Sequence, residues 1–584
     1  MASSWIGMDV KRVEDPALLT GEGQYIDDIH RPEMLYAVAV RSPYAHARIS
    51  AIDKTAALEV DGVVAVITHD DLPDAMHGEG VPILVPHPVI TADKRPQLMC
   101  RDEVCFVGDL VAMVLAEDRY VAEDAAALVD VEYDELDCAA NVLDAAKPDA
   151  SVAHADLDSN VAANIDLDYG DMTAAFASAA HVVKEDFFQH RGSAHSMETR
   201  GCIAEYDDAA GQMRIWVTSQ SPHQFKGAYA DIMGLDEQAV NVIVPPDVGG
   251  GFGPKAVMWP EQFVIPACAL IAGRPVKWIE DRREHFMCAY QERDQHWHGE
   301  LALDASGKIL GLRVGLIHDT GAYVPWGVVV PWITCTTVPG PYVIPAYEMR
   351  CQVVFTNKVP VTPVRGAGRP QAATFMERML DLGADQLGLA RDEIRRRNFV
   401  QPEQMPYEVG LVFRDGKPVV YDSGDYPRCQ EMALKQADFA GFDARQRAAR
   451  NNGRYIGIGT ASYIEATGLG PFEGVSVHVQ RSGKVIVHTG AAPQGQGHQT
   501  MLSQIVATSL GCSFEDITVK VSDTTTIQRG VGTFASRITP NAGPSAHLAG
   551  DSVRKKILKI AAHLLETSVD DLDIEYRNRS GHYS

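Results

Sequence analysis

The chain contains no Cys-x-x-Cys pair. Its ten cysteines, at 100, 105, 138, 202, 268, 288, 335, 351, 429 and 512, are scattered over 584 residues. That spacing excludes a locally built iron–sulfur cluster or structural zinc site. A dispersed set in a large acidic chain fits a reducing compartment better than a disulfide scaffold. An uninterrupted apolar run is also missing. The longest apolar region, YVPWGVVVPWITCTTVPGPYVIP, is broken by Pro325, Pro331, Pro339, Pro341 and Pro345 and reads as a Pro-rich loop rather than a membrane helix. The N-terminus, MASSWIGMDVKRVED, has no apolar core and no twin arginine, so no signal peptide is expected and the location reads as cytoplasmic. Basic charge is scarce as well: 52 Lys and Arg face 78 Asp and Glu, a formal net charge of -26. A chain this acidic repels phosphate backbones, which disfavours nucleic acid as a partner. The one basic triplet, 395–397 in RDEIRRRNF, reads as a solvated helix end.

The length implies several domains, and 46% hydrophobic with 22% charged residues is an ordinary globular balance. The first region reads as β–α–β, from GVVAVIT and LVAMVLA through the helical DRYVAEDAAALV to DVEYDEL. It ends near Ala150, where the polar and weakly periodic stretch 144–171 reads as a linker. A second region alternates strands (GCIAEYD, MRIWVTSQ, NVIVPPDV) with helices (SPHQFKGAYADIMGL, PEQFVIPACALIAG, QAATFMERMLDLGADQLG). A third carries the hairpin GVSVHVQRSGKVIVHTG, the helix HQTMLSQIVATSLG, the strand DITVKVSD and a long last helix.

Four glycine-rich loops each follow a strand and lead toward a helix: DVGGGFGPK, TPVRGAGRP, AAPQGQGHQT and GVGTFASRITPNAGPS. The first fails as a phosphate-binding Walker loop, because Pro254 precedes Lys255 and Ala256 follows it. It fails as a dinucleotide fingerprint because Pro254 takes the final glycine's place. What remains is bare backbone able to offer N–H donors to an anionic or oxo group, close to a helix N-terminus. Four such loops over two regions point to a large polar ligand held between them.

With RVEDPALLTGEGQYIDDI, RSPYAHARI, FVGDLVAMVLAED, HSMETRGCIAEY, TSQSPHQFK, GGGFGPK, VRGAGRP, PQGQGHQT and GTFASR in order, the whole chain resembles the molybdenum-cofactor-binding large subunit of the xanthine dehydrogenase, aldehyde oxidase and aerobic carbon monoxide dehydrogenase family. The resemblance implies a mixed α/β, multidomain α+β fold. It places an N-terminal α/β hammerhead-like domain at 1–150, a linker at 151–179, a first molybdopterin-binding domain at 180–435 and a second, incomplete one at 436–584. It further implies that Gly250, Gly251, Phe252 and Gly253 pack on the molybdenum, with Phe252 shielding it. By the same resemblance Gln220 hydrogen-bonds the apical oxo ligand, Arg365 orients substrate or stabilises developing charge, and Gly366, Ala367 and Gly368 let that loop approach closely. Gln494, Gly495, Gln496 and Gly497 hold the pterin or its tail, and Thr533, Phe534, Ala535, Ser536 and Arg537 contact the same tail. The implied cofactor is molybdenum-molybdopterin in the cytosine dinucleotide form. The implied chemistry is hydroxylation of an aldehyde or N-heteroaromatic ring with water-derived oxygen. This chain has no cluster motif, so 2Fe-2S and FAD are expected on iron–sulfur and flavin partner subunits.

Three departures sharpen that expectation. The family's catalytic glutamate, in a Gly-Val-Gly-Glu-like motif, has no counterpart; GVGT at 530–533 belongs to another loop. Either a second chain completes the last domain and supplies the base, or the chain is a non-catalytic scaffold or remnant. Arg365 has no neighbouring cysteine to bridge copper, which argues against carbon monoxide, and Ala256 replaces a purine-recognising glutamate. Elsewhere the plainer readings hold: His296 and His298 as solvated strand residues, His195 and Glu198 as structural hydrogen-bonding groups.

Overall fold

The strand Leu110–Ala116 is buried at every position, and its alternating side chains feed two cores. Met113 and Leu115 pack with Phe225, Tyr229 and Phe263. Ala112, Val114 and Ala116 face Ala57, Ala122 and Ala125 on the other side. The computed structural model describes residues 4–78 and 80–574. Its largest sheet has seven strands in the order Val240–Ile243, Gln212–Val217, Gly201–Asp207, Val276–Ile279, Leu35–Arg41, Leu110–Ala116, Val63–Ile67. The N-terminal strands therefore continue directly into the second region. The join is a parallel pairing of Leu35 with Val276 and Tyr36 with Lys277.

A second sheet orders Val161–Tyr169, Tyr347–Phe355, Ile309–Gly321, Gln295–Leu303 and His181–Gln189. Its first strand lies inside the segment expected as a linker. Asn164, Asp166 and Asp168 gave that segment its polar look, but they are only the outward half of a period-two alternation. Ala163 and Ile165 point into the core. The Pro-rich segment also differs from expectation, since it contains the helix Val329–Thr337. Pro331 is its third residue, where a backbone N–H would have no intrahelical partner to lose. Arg395 is no solvated helix end: it is fully buried, 2.6 Å from Glu377 and 2.9 Å from Asp381.

The last region is smaller. Strands Val475–Val479, Val485–Thr489 and Ile517–Val521 form a three-stranded sheet. Val487 and Val519 pack there against Leu502 and Val506 of the helix His498–Leu510 and Ala546 of the helix Gly543–Leu565. Among the described residues no helix is long and apolar enough to cross a membrane.

Candidate functional site

The glycine turn leaves the edge strand Val240–Ile243 and is pinned from behind by one carboxylate. Glu198 Oε2 accepts from the Gly249 N–H (2.8 Å) and from Lys255 Nζ (3.1 Å), and its Oε1 accepts from the Ile26 N–H (3.3 Å). Lys255 is buried; desolvation lowers its ammonium pKa, and Glu198 opposes that shift. Trp259 Nε1 donates to the Pro254 carbonyl (2.9 Å), and Trp259 is itself sandwiched between Tyr290 and the Arg200 guanidinium, each 3.6 Å away. Burial alone would raise the Glu280 carboxyl, but Arg200 and His285 hold it well below the usual carboxylate range.

Two positions show why the turn needs glycine. Gly253 has φ 120°, and a Cβ there would lie 2.0 Å from the Pro363 carbonyl oxygen. At Gly251 a Cβ would meet Gln220 Oε1 at 2.7 Å and Gln494 Cγ at 2.9 Å. Backbone and side chains from three loops thus meet with no room for a methyl group. Phe252 is itself left-handed (φ 59°) and 42% exposed, and its ring lies against Gly250.

Gln220 joins the two halves of the site. Its Oε1 accepts from the Gly253 N–H (3.0 Å), and its Nε2 donates to the Thr533 carbonyl (2.7 Å). Its backbone N–H donates to Lys255 O and its carbonyl accepts from the Thr533 N–H, both at 2.8 Å. An amide nitrogen carries two hydrogens, so one donor of Gln220 remains for a ligand. The loop after Tyr347–Phe355 joins through the Arg365 N–H, which donates to Phe252 O (2.7 Å). The Arg365 side chain is exposed, with no hydrogen bond or ion pair among the described residues. Gly368 turns the same loop onto the helix Val329–Thr337: a Cβ there would sit 2.6 Å from Val330 O.

The C-terminal loops supply the opposite wall. Gln494 and Gln496 interlock, with the Gln494 N–H donating to Gln496 Oε1 (2.6 Å) and Gln496 Nε2 to Gln494 Oε1 (3.1 Å). Gly495 and Gly497 are left-handed and open; a Cβ at Gly495 would touch nothing within 4 Å. The helix that follows already has an anion at its N-terminus. Glu14 accepts from the Gln499 and Thr500 N–H groups at 3.0 and 3.2 Å. Burial pushes His498 down to about 4, against the Ala491 carbonyl and Glu14. Arg537 is fully buried and spends its guanidinium on the protein: it pairs with Glu473 and donates to Gly532 O (2.7 Å) and Leu469 O (2.8 Å). Phe534 packs edge-on against Trp326 at 6.2 Å, while Ala535 and Ser536 are left-handed at φ 51° and 50°.

Around this wall four buried polar atoms have no hydrogen-bond partner: Ser221 Oγ, His223 Nδ1, Glu473 Oε1 and Thr533 Oγ1. Two glycines let the backbone press closely against them. A Cβ at Gly532 would lie 2.4 Å from Ser221 Oγ, and one at Gly530 2.6 Å from Glu473 Oε1. Spare hydroxyls, a spare amide hydrogen and open glycine backbone form a donor set suited to a polar, heteroatom-rich ligand. A molybdopterin fits that set.

Comparison with known proteins identifies the domains that carry these loops. Residues 153–399 and 432–582 each match a molybdopterin cofactor-binding domain, and 20–137 match the a/b hammerhead domain of aldehyde oxidase and xanthine dehydrogenase. The carbon monoxide dehydrogenase large chain of Hydrogenophaga pseudoflava is 37% identical, over 96% of this chain and 72% of its own length. The nicotine 6-hydroxylase large subunit of Paenarthrobacter nicotinovorans is 36% identical, over 98% and 70% respectively. The chain belongs to the molybdenum-hydroxylase large-subunit family. The crystal structure of quinoline 2-oxidoreductase from Pseudomonas putida 86 superposes with a TM-score of 0.91 at 35% identity, covering 98% of this chain and 74% of that one. The hammerhead and the two cofactor-binding domains of the family are thus all present, in the mixed α/β fold expected.

Among the residues singled out from the sequence, the structure brings Gln220, Gly250, Gly251, Phe252, Gly253, Gln494 and Thr533 together. Arg365 is tied to them through Phe252, whereas Arg537 faces Glu473 instead. Sequence reasoning missed Lys255, Glu473, Ser221, His223 and Glu14 as parts of the site. Four of them lie inside motifs that carry the resemblance, Glu14 in RVEDPALL, Ser221 and His223 in TSQSPHQFK and Lys255 in GGGFGPK, where no role was assigned to them; Glu198, inside HSMETR, has the structural hydrogen-bonding role of the plainer reading.

Proposed function

We propose that this chain is the molybdenum-cofactor subunit of a hydroxylase that oxidises an N-heteroaromatic ring or an aldehyde. Oxygen comes from water, and electrons pass to iron–sulfur and flavin partner subunits. The observation that carries the reading is the convergence on Gln220: one side chain holds Gly253 and Thr533 together while keeping a donor free. When bound, a molybdenum cofactor supplies the two-electron acceptor and the activation of water.

The residues of the chain take the remaining tasks. Gln220 fixes its amide toward the cofactor's metal end, because both neighbouring loops hold it in one rotamer. Gly250, Gly251 and Gly253 let the backbone approach closely, and Phe252 covers the turn against water. Ser221, Thr533 and the open backbone at Gly495 and Gly497 hold the pterin and its nucleotide tail. Arg365, exposed and uncommitted, orients the substrate and stabilises negative charge developing on it. The absence of a cysteine in VRGAGR favours a ring or aldehyde substrate over carbon monoxide.

Metal and nucleotide analysis of the purified complex tests this. One molybdenum and one cytosine nucleotide per chain are expected; a metal-free complex with intact partners sinks the reading. Turnover with quinoline-type rings, aldehydes and carbon monoxide, assayed side by side, then assigns the substrate class.

A further inference from the structure

Away from the glycine loops, residues between His69 and Glu103, with His154, Asp156 and Tyr323, line an open cavity of about 890 Å³. Glu103 and His154 line it, and Cys105 lies directly against His154. The donor atoms of these three side chains all fall within 4.8 Å of one another. None of the three belongs to the site described above. They escape a search for paired cysteines because His154 lies 49 residues beyond Cys105.

The hydrogen bonds around the cluster leave His154 Nδ1 facing only Cys105, and Glu103 Oε2 without a hydrogen bond among the described residues. His154 Nε2 is 2.6 Å from the Ala322 carbonyl oxygen, which can only accept. Nε2 therefore carries the proton, and Nδ1 presents a bare lone pair toward Cys105 Sγ, 3.2 Å away. An imidazole anchored by a backbone carbonyl at its far nitrogen is the usual outer support of a metal-bound histidine. Glu103 is held through one oxygen only: Oε1 accepts from His46 Nε2 (2.7 Å) and the Ala155 N–H (2.8 Å). Its Oε2 has no hydrogen bond among the described residues. The Cys105 backbone is fixed on both sides, by Asp109 Oδ2 on its N–H (2.7 Å) and Asn357 Nδ2 on its carbonyl (2.9 Å).

We propose that Cys105, His154 and Glu103 form a binding site for a zinc-class divalent cation. One sulfur, one imidazole nitrogen and one carboxylate oxygen select such an ion over magnesium or calcium. A tetrahedral zinc holds its donor atoms roughly 3.3–3.8 Å apart, so the cluster closes with a movement of about 1 Å. Water from the cavity takes the fourth position, and the cavity is the route of entry. On binding, the Cys105 S–H bond breaks, a sulfur–metal bond forms and the proton leaves to cavity water; no electron moves. Cys105 and Glu103 belong to the N-terminal region, and His154 is hydrogen-bonded to Ala322 just past the end of the strand Ile309–Gly321, so the cation clasps the two regions together.

The test uses the purified complex, stripped with a chelator and re-equilibrated with zinc or cobalt(II). Elemental analysis counts zinc separately from molybdenum, so the outcome does not depend on the proposed hydroxylase. One zinc per chain and a near-ultraviolet thiolate-to-cobalt band are expected. Cys105→Ala should abolish the band and bring zinc below about a tenth per chain. Glu103→Gln keeps the acceptor for the Ala155 N–H and should weaken binding at least tenfold with the fold intact. Exposed Cys429→Ser should change neither. No zinc uptake by a folded complex, or a band that survives Cys105→Ala, overturns the proposal. If Cys105→Ala fails to fold, unchanged affinity in Glu103→Gln overturns it instead.

Discussion

The two walls of the candidate site are built on opposite terms. The turn at 249–253 is locked by its own chain: Glu198 pins one end, Gln220 the other, and Trp259 holds Pro254 from below. The wall from 491–497 and 530–537 is tied down just as firmly at its back, through Arg537 and Glu473, yet Thr533 Oγ1 and Glu473 Oε1 stay unpaired where it meets Ser221 Oγ and His223 Nδ1 of the first region, also unpaired. Each unpaired buried group costs about 1–3 kcal/mol. A ligand that supplied partners to these groups would recover that cost. The glycine turn is therefore closed on itself, and the unpaired groups gather at the seam where the C-terminal wall meets residues 221–223.

The strongest way to break this contrast is at the back of the second wall. Glu473→Ala leaves Arg537 buried without its partner and should cost about 3–5 kcal/mol in denaturant unfolding. A loss below about 1 kcal/mol would remove the anchor from the account. Gly253→Ala attacks the first wall, setting a Cβ against Pro363 O and a side chain at φ 120°; about 3 kcal/mol and loss of most bound molybdenum are expected. Acid separates the walls without mutation. His498 is depressed from 6.5 to about 4 in the fold, so its share of stability is complete above pH 6.5 and is lost as pH falls toward 4. That share is roughly 3 kcal/mol, and hydrogen exchange should show 498–510 opening before 249–255. Equal loss in both segments would contradict it.

Gln220→Glu tests the bridge. A carboxylate still accepts from the Gly253 N–H but cannot donate to Thr533 O, so about 1–3 kcal/mol and roughly tenfold to hundredfold in turnover should go. The smallest effect is the most selective. Ser221→Ala removes an unpartnered hydroxyl, so the cofactor-free chain should keep its stability within about 0.5 kcal/mol while the loaded protein releases its cofactor faster.

Elements set by local pattern were legible from the sequence. The strand LVAMVLA, the hairpin around Ser482–Gly483 and the position of each glycine loop between strand and helix follow from periodicity and from residues suited to positive φ. Context-dependent features were not. Asn164, Asp166 and Asp168 hide an edge strand because half its positions face out. Pro331 disguises a helix because its penalty vanishes in the first turn. The partners that shape the site lie far off in the chain: Gln220 meets Thr533 across 313 residues, and Glu14 caps Thr500 across 486. No window of sequence contains such a pair.

The shared seven-stranded sheet has a consequence for synthesis. The strand Leu35–Arg41 pairs on one side with the nearby Leu110–Ala116, but its other edge waits for Val276–Ile279. A growing chain therefore carries that edge open until Val276–Ile279, about 235 residues downstream, has left the ribosome, offering unpaired N–H and C=O groups to any passing strand. The N-terminal region is an early-made part that stays unfinished, and its safe completion depends on the steady arrival of sequence encoded far downstream.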